Sequence, residues 1–204
     1  MKTYLITNPK GGSGKTTLAT NLAGYFASRG RNVLLSDMDR QASTQAWLSR
    51  RLPELPTISD SLKSNKKPDI MIIDSPAGLR GEKLSDAVKA ADFVIVPMQS
   101  SIFDIDATQD FLDILRAEKA VRKERTFVAM IGMRVNSRTK AAIKLEEYLL
   151  QSGFPVAGYL RNAQIYPQAA EQGKSIFDMS PARAQKDIEQ WAKLIKWVKA
   201  AEKS

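Results

Sequence analysis

A chain of 204 residues, 43% hydrophobic and 26% charged, has the balance of a globular α/β protein and is too short for two domains of ordinary size. It contains no cysteine and no histidine, which excludes disulfides, thiolate metal sites and imidazole acid–base chemistry; carboxylates, lysines, backbone amides and a hard metal ion remain. The formal net charge of +9 points to a polyanionic partner, nucleic acid or an anionic membrane surface, with plain solubility as the alternative.

In chain order, Tyr4-Leu5-Ile6 reads as a first strand. A helix is predicted over 15–29, with Leu18, Leu22, Ala23, Tyr25 and Phe26 as its buried positions and Gly30 as its stop. Val33-Leu34-Leu35-Ser36 and Ile70-Met71-Ile72-Ile73 are the second and third strands, and residues 52–68, with three prolines, an irregular surface connection. Phe93-Val94-Ile95-Val96 is a fourth strand ended by Pro97, 127–132 a fifth and 155–159 a sixth. Each run is short, nearly all apolar and separated from the next by helix-length sequence, as in strands buried on both faces. The expected fold is an α/β doubly wound, mostly parallel sheet with helices on both faces, forming one domain over 1–204. No apolar run approaches the roughly 18 residues of a membrane span, and the start shows no signal-peptide pattern, so the expected location is cytoplasmic.

The first strand runs into Asn8-Pro9-Lys10-Gly11-Gly12-Ser13-Gly14-Lys15-Thr16-Thr17, and a helix follows. Glycines let backbone N–H groups turn onto a polyphosphate, and the helix N-terminus adds its positive dipole end. Lys15 supplies a charge for the β- and γ-phosphates, and the Thr16 hydroxyl is placed to ligate Mg²⁺. The segment therefore reads as a phosphate loop for a nucleoside triphosphate with Mg²⁺. Asp74 ends an apolar strand, where a carboxylate holds a Mg²⁺-bound water; a strand-end cap is the plainer use of a lone aspartate.

The loop departs from the usual pattern, with Pro9 at the first glycine position and a second lysine, Lys10, opening it. The Lys-Gly-Gly-x-Gly-Lys-Thr-Thr pattern resembles the deviant Walker A motif of the ParA/MinD family, ATPases that position DNA and other cargo. Asp37-Met38-Asp39-Arg40-Gln41, Ile72-Ile73-Asp74-Ser75-Pro76-Ala77-Gly78, Val94-Ile95-Val96-Pro97 and Ala170-Glu171-Gln172-Gly173-Lys174-Ser175-Ile176 extend the resemblance over most of the chain. The resemblance implies that Lys10 reaches across a nucleotide-dependent homodimer to the partner's ATP; an extra phosphate contact within one chain is the alternative. It assigns Asp39 to positioning the attacking water and supporting the Mg²⁺ shell. Asp37 is expected to hold the loop or the residues around the metal's ligands. Met133 and Arg134, after the fifth strand, fall where the family contacts adenine, although the Asn-Arg pair common there is missing. No glutamate base emerges, so turnover is expected to be slow, as in a nucleotide-timed switch. Gly78 and Gly81 bracket a segment that could change shape with the γ-phosphate.

The basic excess concentrates between Arg116 and Lys144 and on the C-terminal helix. There Ile188, Trp191, Leu194, Ile195 and Val198 share one face, and Lys186, Lys193, Lys196, Lys199 and Lys203 another. The lysine face is either a solvated face or a surface for DNA phosphates, contacted without regard to base sequence. With no helix-turn-helix before the phosphate loop, the chain resembles the short ParA form. The leading expectation is an ATP-driven dimer that coats nucleoid DNA and is released by an ATPase-activating adaptor, ParB-like or a cargo protein. Phe103, Ile105 and Phe111, within 99–112, are candidates for that contact. The alternatives are a membrane-cycling ATPase like MinD, favoured by the Trp-bearing helix, and a metabolic P-loop enzyme. No separate tail suggests a stable membrane anchor, and no second-substrate motif is visible.

Overall fold

The computed structural model describes residues 1–39, 41–61 and 67–202, the side chains of 102–107 excepted. Arg40, Lys203 and the side chains of Phe103 and Ile105 lie outside the described residues. The strands are β1 (Lys2–Ile6), β2 (Val33–Asp37), β3 (Ile58–Ser59), β4 (Ile70–Asp74), β5 (Phe93–Gln99), β6 (Phe127–Val135) and β7 (Val156–Arg161). They form one sheet in the order β3-β2-β4-β1-β5-β6-β7, and every recorded pair is parallel. The connecting helices are α1 (Lys15–Ser28), α2 (Ser43–Ser49), α3 (Gly81–Ala90), α4 (Ile102–Ala117), α5 (Lys119–Arg122), α6 (Lys140–Gln151), α7 (Ile165–Glu171), α8 (Pro181–Gln190) and α9 (Ala192–Ala201), with a 3₁₀ turn at Ile176–Asp178.

Successive residues of a strand face opposite sides, so a sheet covered on both faces needs apolar residues at every position. In β1, Tyr4 and Ile6 enter the core formed with α1, α8 and α9, while Leu5 enters the core under α3, α4 and α6. All five positions of α1 expected to be buried are buried. Tyr4 stacks on Phe93 at 4.6 Å, and Trp197 meets Phe93 edge-on at 5.8 Å, tying α9 to the middle of the sheet.

Three expectations change. Strand β5 does not end at Pro97 but continues to Gln99. The Ile95 carbonyl accepts from Thr7 N–H and the Pro97 carbonyl from Asn8 Nδ2, so both residues face β1. The β1–β5 ladder has already ended at Ile6 and Ile95, and the missing N–H of Pro97 therefore breaks no strand pairing. Residues 52–68 are not wholly irregular, because Ile58 and Ser59 pair with Val33 and Leu34 as the short edge strand β3. The C-terminal helix divides at Trp191 into α8 and α9, where Trp191 N–H bonds three residues back to the Ile188 carbonyl. Its core face is Ala184, Asp187, Trp191, Leu194 and Val198, whereas Ile188 and Ile195 are only half-buried.

Candidate functional site

The carboxyl ends of β1, β2, β4, β5, β6 and β7 converge on one edge of the sheet, the crevice where open α/β sheets place ligands. The phosphate loop leaves β1 here. Asn8 is buried and pins it at two points: its Nδ2 donates to the Pro97 carbonyl at 2.9 Å, and its Oδ1 accepts from Lys10 N–H at 2.8 Å. Gly14 is the N-cap of α1 with φ 97°, a left-handed conformation that a side chain strains. A Cβ there would also lie 3.0 Å from Met133 Cε. Among the described residues no side chain caps the first turn of α1, so its N–H groups face the crevice as donors for an anion.

Lys15 is 7% exposed, and its ammonium donates to the Lys10 carbonyl at 2.9 Å within the loop. Burial pulls its pKa below the ordinary lysine value, and Asp74 and Asp39 partly oppose that pull. Thr16 Oγ1 donates to Asp74 Oδ2 at 2.7 Å. The other oxygen, Asp74 Oδ1, is buried with no hydrogen-bond partner among the described residues. Burial pushes the Asp74 carboxyl up to about 6; Asp37 and Asp39 push the same way, and the Thr16 hydroxyl and Lys15 oppose them. A hydroxyl and an orphaned carboxylate oxygen beside the phosphate loop are the hard donors Mg²⁺ takes when phosphates and water complete its shell, so these residues fit that ion. Among the described residues no cluster of three or more acidic side chains forms a separate metal site.

Asp37 and Asp74 are partners in the β2–β4 ladder. Asp37 accepts from Asp39 N–H at 2.8 Å and from Thr44 N–H and Oγ1 at 2.9 and 2.7 Å. It thus fixes both the turn carrying Asp39 and the start of α2. The 75–81 segment leans on the phosphate loop, with Ser75 N–H on the Ile6 carbonyl and Gly78 N–H on the Pro9 carbonyl at 2.8 Å. Lys10, Lys15, Thr16, Asp39 and Asp74 are therefore held on one edge by four connected segments. Gly11, Gly12, Ser13 and Thr17 complete the loop around them, and Gln99 Nε2 donates to the Gly12 carbonyl.

Beside Thr16 and Thr17 opens a cleft of about 430 Å³, also lined by Met133 and Arg134. These two are not beyond the strand as expected but part of β6, whose ladder with β5 reaches Met133. Met133 is buried against Gly14, and Arg134 is exposed with φ 52°. The opposite wall comes from residues the sequence reading missed: Asn162 and Gln164 between β7 and α7, and Tyr166 and Pro167 in the first turn of α7. Their position just after a parallel strand was the available signal. The 170–176 segment closes on α1, with Ile176 N–H on Asn21 Oδ1 at 2.8 Å and Ser175 packed where a Cβ on Gly24 would clash. Arg51 locks this closure through paired bonds to Asp178 at 2.9 and 3.0 Å. Burial raises the Asp178 pKa, but hydrogen bonds from Arg51 and Ser175 outweigh it and hold the carboxyl below its usual range.

Lys186, Lys193, Lys196 and Lys199 are all exposed, and none forms an ion pair among the described residues. The other basic stretch is not one patch. Lys119, Arg122, Lys123 and Arg125 sit at the start of β6, and Arg134, Arg138 and Lys140 at its end, about 30 Å away along a nine-residue strand. Among the described residues no helix is long and apolar enough to cross a membrane.

The profile of the CobQ/CobB/MinD/ParA nucleotide-binding domain matches residues 4–176. The maintenance of carboxysome distribution protein A of Gloeobacter kilaueensis is 30% identical over 182 residues, 84% of this chain and 82% of that protein. The chromosome-partitioning ATPase Soj of Thermus thermophilus is 27% identical over 186 residues, 71% of this chain and 74% of its own length. The MgADP complex of the septum site-determining protein MinD from Pyrococcus horikoshii superposes with a TM-score of 0.70 at 19% identity, covering 97% of this chain and 95% of that one.

Proposed function

The chain belongs to the CobQ/CobB/MinD/ParA nucleotide-binding family of P-loop ATPases, and we propose that it is an ATP-dependent partition or positioning ATPase whose ATP-bound dimer binds DNA non-specifically. The observation that carries the reading is the joint arrangement of Lys10, Lys15, Thr16 and Asp74, with a buried Asp74 oxygen left free beside the phosphate loop.

The loop N–H groups and Lys15 bind the phosphates, the ammonium exchanging the Lys10 carbonyl for phosphate oxygens. Thr16 and Asp74 would hold Mg²⁺, directly or through water, and the ion would supply charge neutralisation for the phosphates. Asp39, fixed by Asp37, orients the attacking water. Lys10 reaches the ATP of the second subunit, so assembly depends on nucleotide. The base lies in the cleft between Met133–Arg134 and the β7–α7 connection. Without a glutamate base, hydrolysis is slow until an adaptor, a ParB-like or cargo protein, stimulates it. Lys186, Lys193, Lys196 and Lys199 contact phosphates, and the protein is nucleoid-associated in the cytoplasm. The whole of 1–204 acts as one ATPase domain. A membrane-inserting C-terminal helix is disfavoured, because Trp191, Leu194 and Val198 are committed to the core.

The test is binding to non-specific duplex DNA with ATP, ADP or no nucleotide at two salt concentrations, for wild type, Lys10→Ala and Lys15→Ala. The reading requires ATP-dependent, salt-sensitive binding that both substitutions abolish. Absence of DNA binding in every state would remove the DNA-coating function while leaving the nucleotide site intact.

A further inference from the structure

A second concavity, an open groove of about 830 Å³, lies between the end of α1 and the outer faces of α8 and α9. Its floor is apolar, made by Tyr25, Ile188, Ala192 and Ile195. Ile188 and Ile195 are seven residues apart on one side of the helix pair and remain half-buried, outside the row that enters the core. The floor is anchored from below. Trp191, at the α8–α9 junction, is fully buried and donates through Nε1 to the Tyr166 hydroxyl at 3.1 Å. The rim carries Arg29, Lys196 and Lys199 against one carboxylate, Glu189. None of the three cations forms an ion pair among the described residues, and Arg29 only lies over the Tyr25 ring at 5.8 Å.

An apolar floor under a cationic rim selects among polyanions. Duplex DNA satisfies the rim but has no apolar side chains for the floor. A bilayer takes up apolar groups that protrude, whereas Ile188 and Ile195 are half-buried in the groove. A helix with apolar residues along one side and carboxylates beside them fills the floor and pairs with the rim. We propose that this groove docks an acidic amphipathic helix of a partner protein. The groove lies at the far end of the 14-residue helix α1, about 20 Å from the phosphate loop, so docking does not obstruct the nucleotide or the proposed dimer face. Docking stands apart from the functional reading above. One consequence rests on that reading: the seated helix covers Lys196 and Lys199 and competes with DNA.

The probe is a panel of fluorescent helical peptides of about four turns, acidic with one leucine-rich face, each paired with a scrambled peptide of equal composition. Binding is read by anisotropy against wild type, Ile195→Glu, Ala192→Trp, the Lys196→Glu/Lys199→Glu double variant and Lys15→Ala. Ala192 is exposed, so tryptophan there fills the groove without touching the core, which keeps the test decisive if Ile195→Glu fails to fold. At least one amphipathic peptide binds about tenfold tighter than its scrambled partner, the scale of one buried apolar anchor. Ala192→Trp and Ile195→Glu erase that preference, the double lysine variant weakens binding, and Lys15→Ala leaves it unchanged. Equal binding of amphipathic and scrambled peptides across the panel, or a preference that survives Ala192→Trp, overturns the proposal. Anionic vesicles and a DNA duplex form separate arms. Vesicle binding that Ala192→Trp abolishes, with no peptide preference, makes the groove a membrane contact and also overturns it. Loss of ATP-dependent DNA binding with the peptide preference intact overturns only the functional reading.

Discussion

Replacing Asp74 by asparagine separates what this carboxylate does for the fold from what it does for the ligand. A carboxyl with a folded-state pKa of about 6 against an unfolded value of 3.8 holds its proton more tightly in the folded chain. Its ionisation therefore weakens the nucleotide-free fold as pH rises from about 4 through 6, and the shift corresponds to about 3 kcal/mol at neutral pH. The amide of D74N has no charge to bury and can still accept from the Thr16 hydroxyl. Its NH₂ group lands where Oδ1 has no partner, a loss of about 1–2 kcal/mol. The net gain of about 1–2 kcal/mol raises the Tm of the nucleotide-free protein by about 2–8 °C at pH 7.5 for a chain of this length. At pH 4, where wild-type Asp74 is protonated, the advantage disappears. Saturating MgATP reverses the ranking. Ligand at a hundredfold excess over Kd stabilises wild type by about 2.7 kcal/mol, and D74N loses most of this. Thermal melts of both proteins at pH 4, 6 and 7.5, with and without MgATP, read all four states. A nucleotide-free D74N that is less stable than wild type at pH 7.5, or one that keeps the full MgATP shift, refutes the reasoning.

Gly14→Ala forces a side chain into φ 97° and against Met133; we expect a loss of about 1–3 kcal/mol in stability, read by denaturant unfolding, together with loss of MgATP binding by calorimetry. Asp37→Ala strands the Thr44 hydroxyl and frees the Asp39 turn, lowering stability by about 1–2 kcal/mol and reducing ATP turnover while MgATP still binds. Arg51→Ala leaves Asp178 buried without its cation and held only by Ser175, which destabilises the chain by about 3 kcal/mol at neutral pH. Because Asp178 titrates below its usual range, that deficit shrinks as pH falls through the carboxylate region, and melts between pH 3 and 7 follow it. Charge removal at Lys186, Lys193, Lys196 or Lys199 lowers the slope of log DNA affinity against log salt by about one per lysine, equally for unrelated sequences.

Much of the fold was legible because the strands carry an unbroken apolar code. A run such as Phe93-Val94-Ile95-Val96 is buried on both sides, the pattern of a strand in a sheet covered on both faces. The phosphate loop was legible because its glycines and lysines act through local backbone geometry. What escaped depends on contacts distant in sequence. Pro97 reads as a stop until one sees that β1 has left the ladder beside it. Ile58 and Ser59 are too short to signal a strand and pair only because β2 offers its edge. Asn162, Gln164 and Tyr166 have no motif of their own, and their place in the cleft comes from β7 lying next to β6. The lysines of α8 and α9 were legible as a face, but the groove beside them needs α1 to supply Tyr25 and Arg29.

Lys15 holds the nucleotide within one subunit and Lys10 joins the two subunits through it, a division that sedimentation velocity resolves. Asp39→Ala slows hydrolysis and serves as the background, with Lys10→Ala and Lys15→Ala added singly and MgATP or MgADP present. The parent is expected to dimerise with MgATP and not with MgADP, whereas Lys15→Ala, which no longer binds nucleotide, and Lys10→Ala, which still does, both stay monomeric. A Lys10→Ala protein that dimerises with MgATP as fully as its parent, or a parent that stays monomeric at saturating MgATP, would contradict this division.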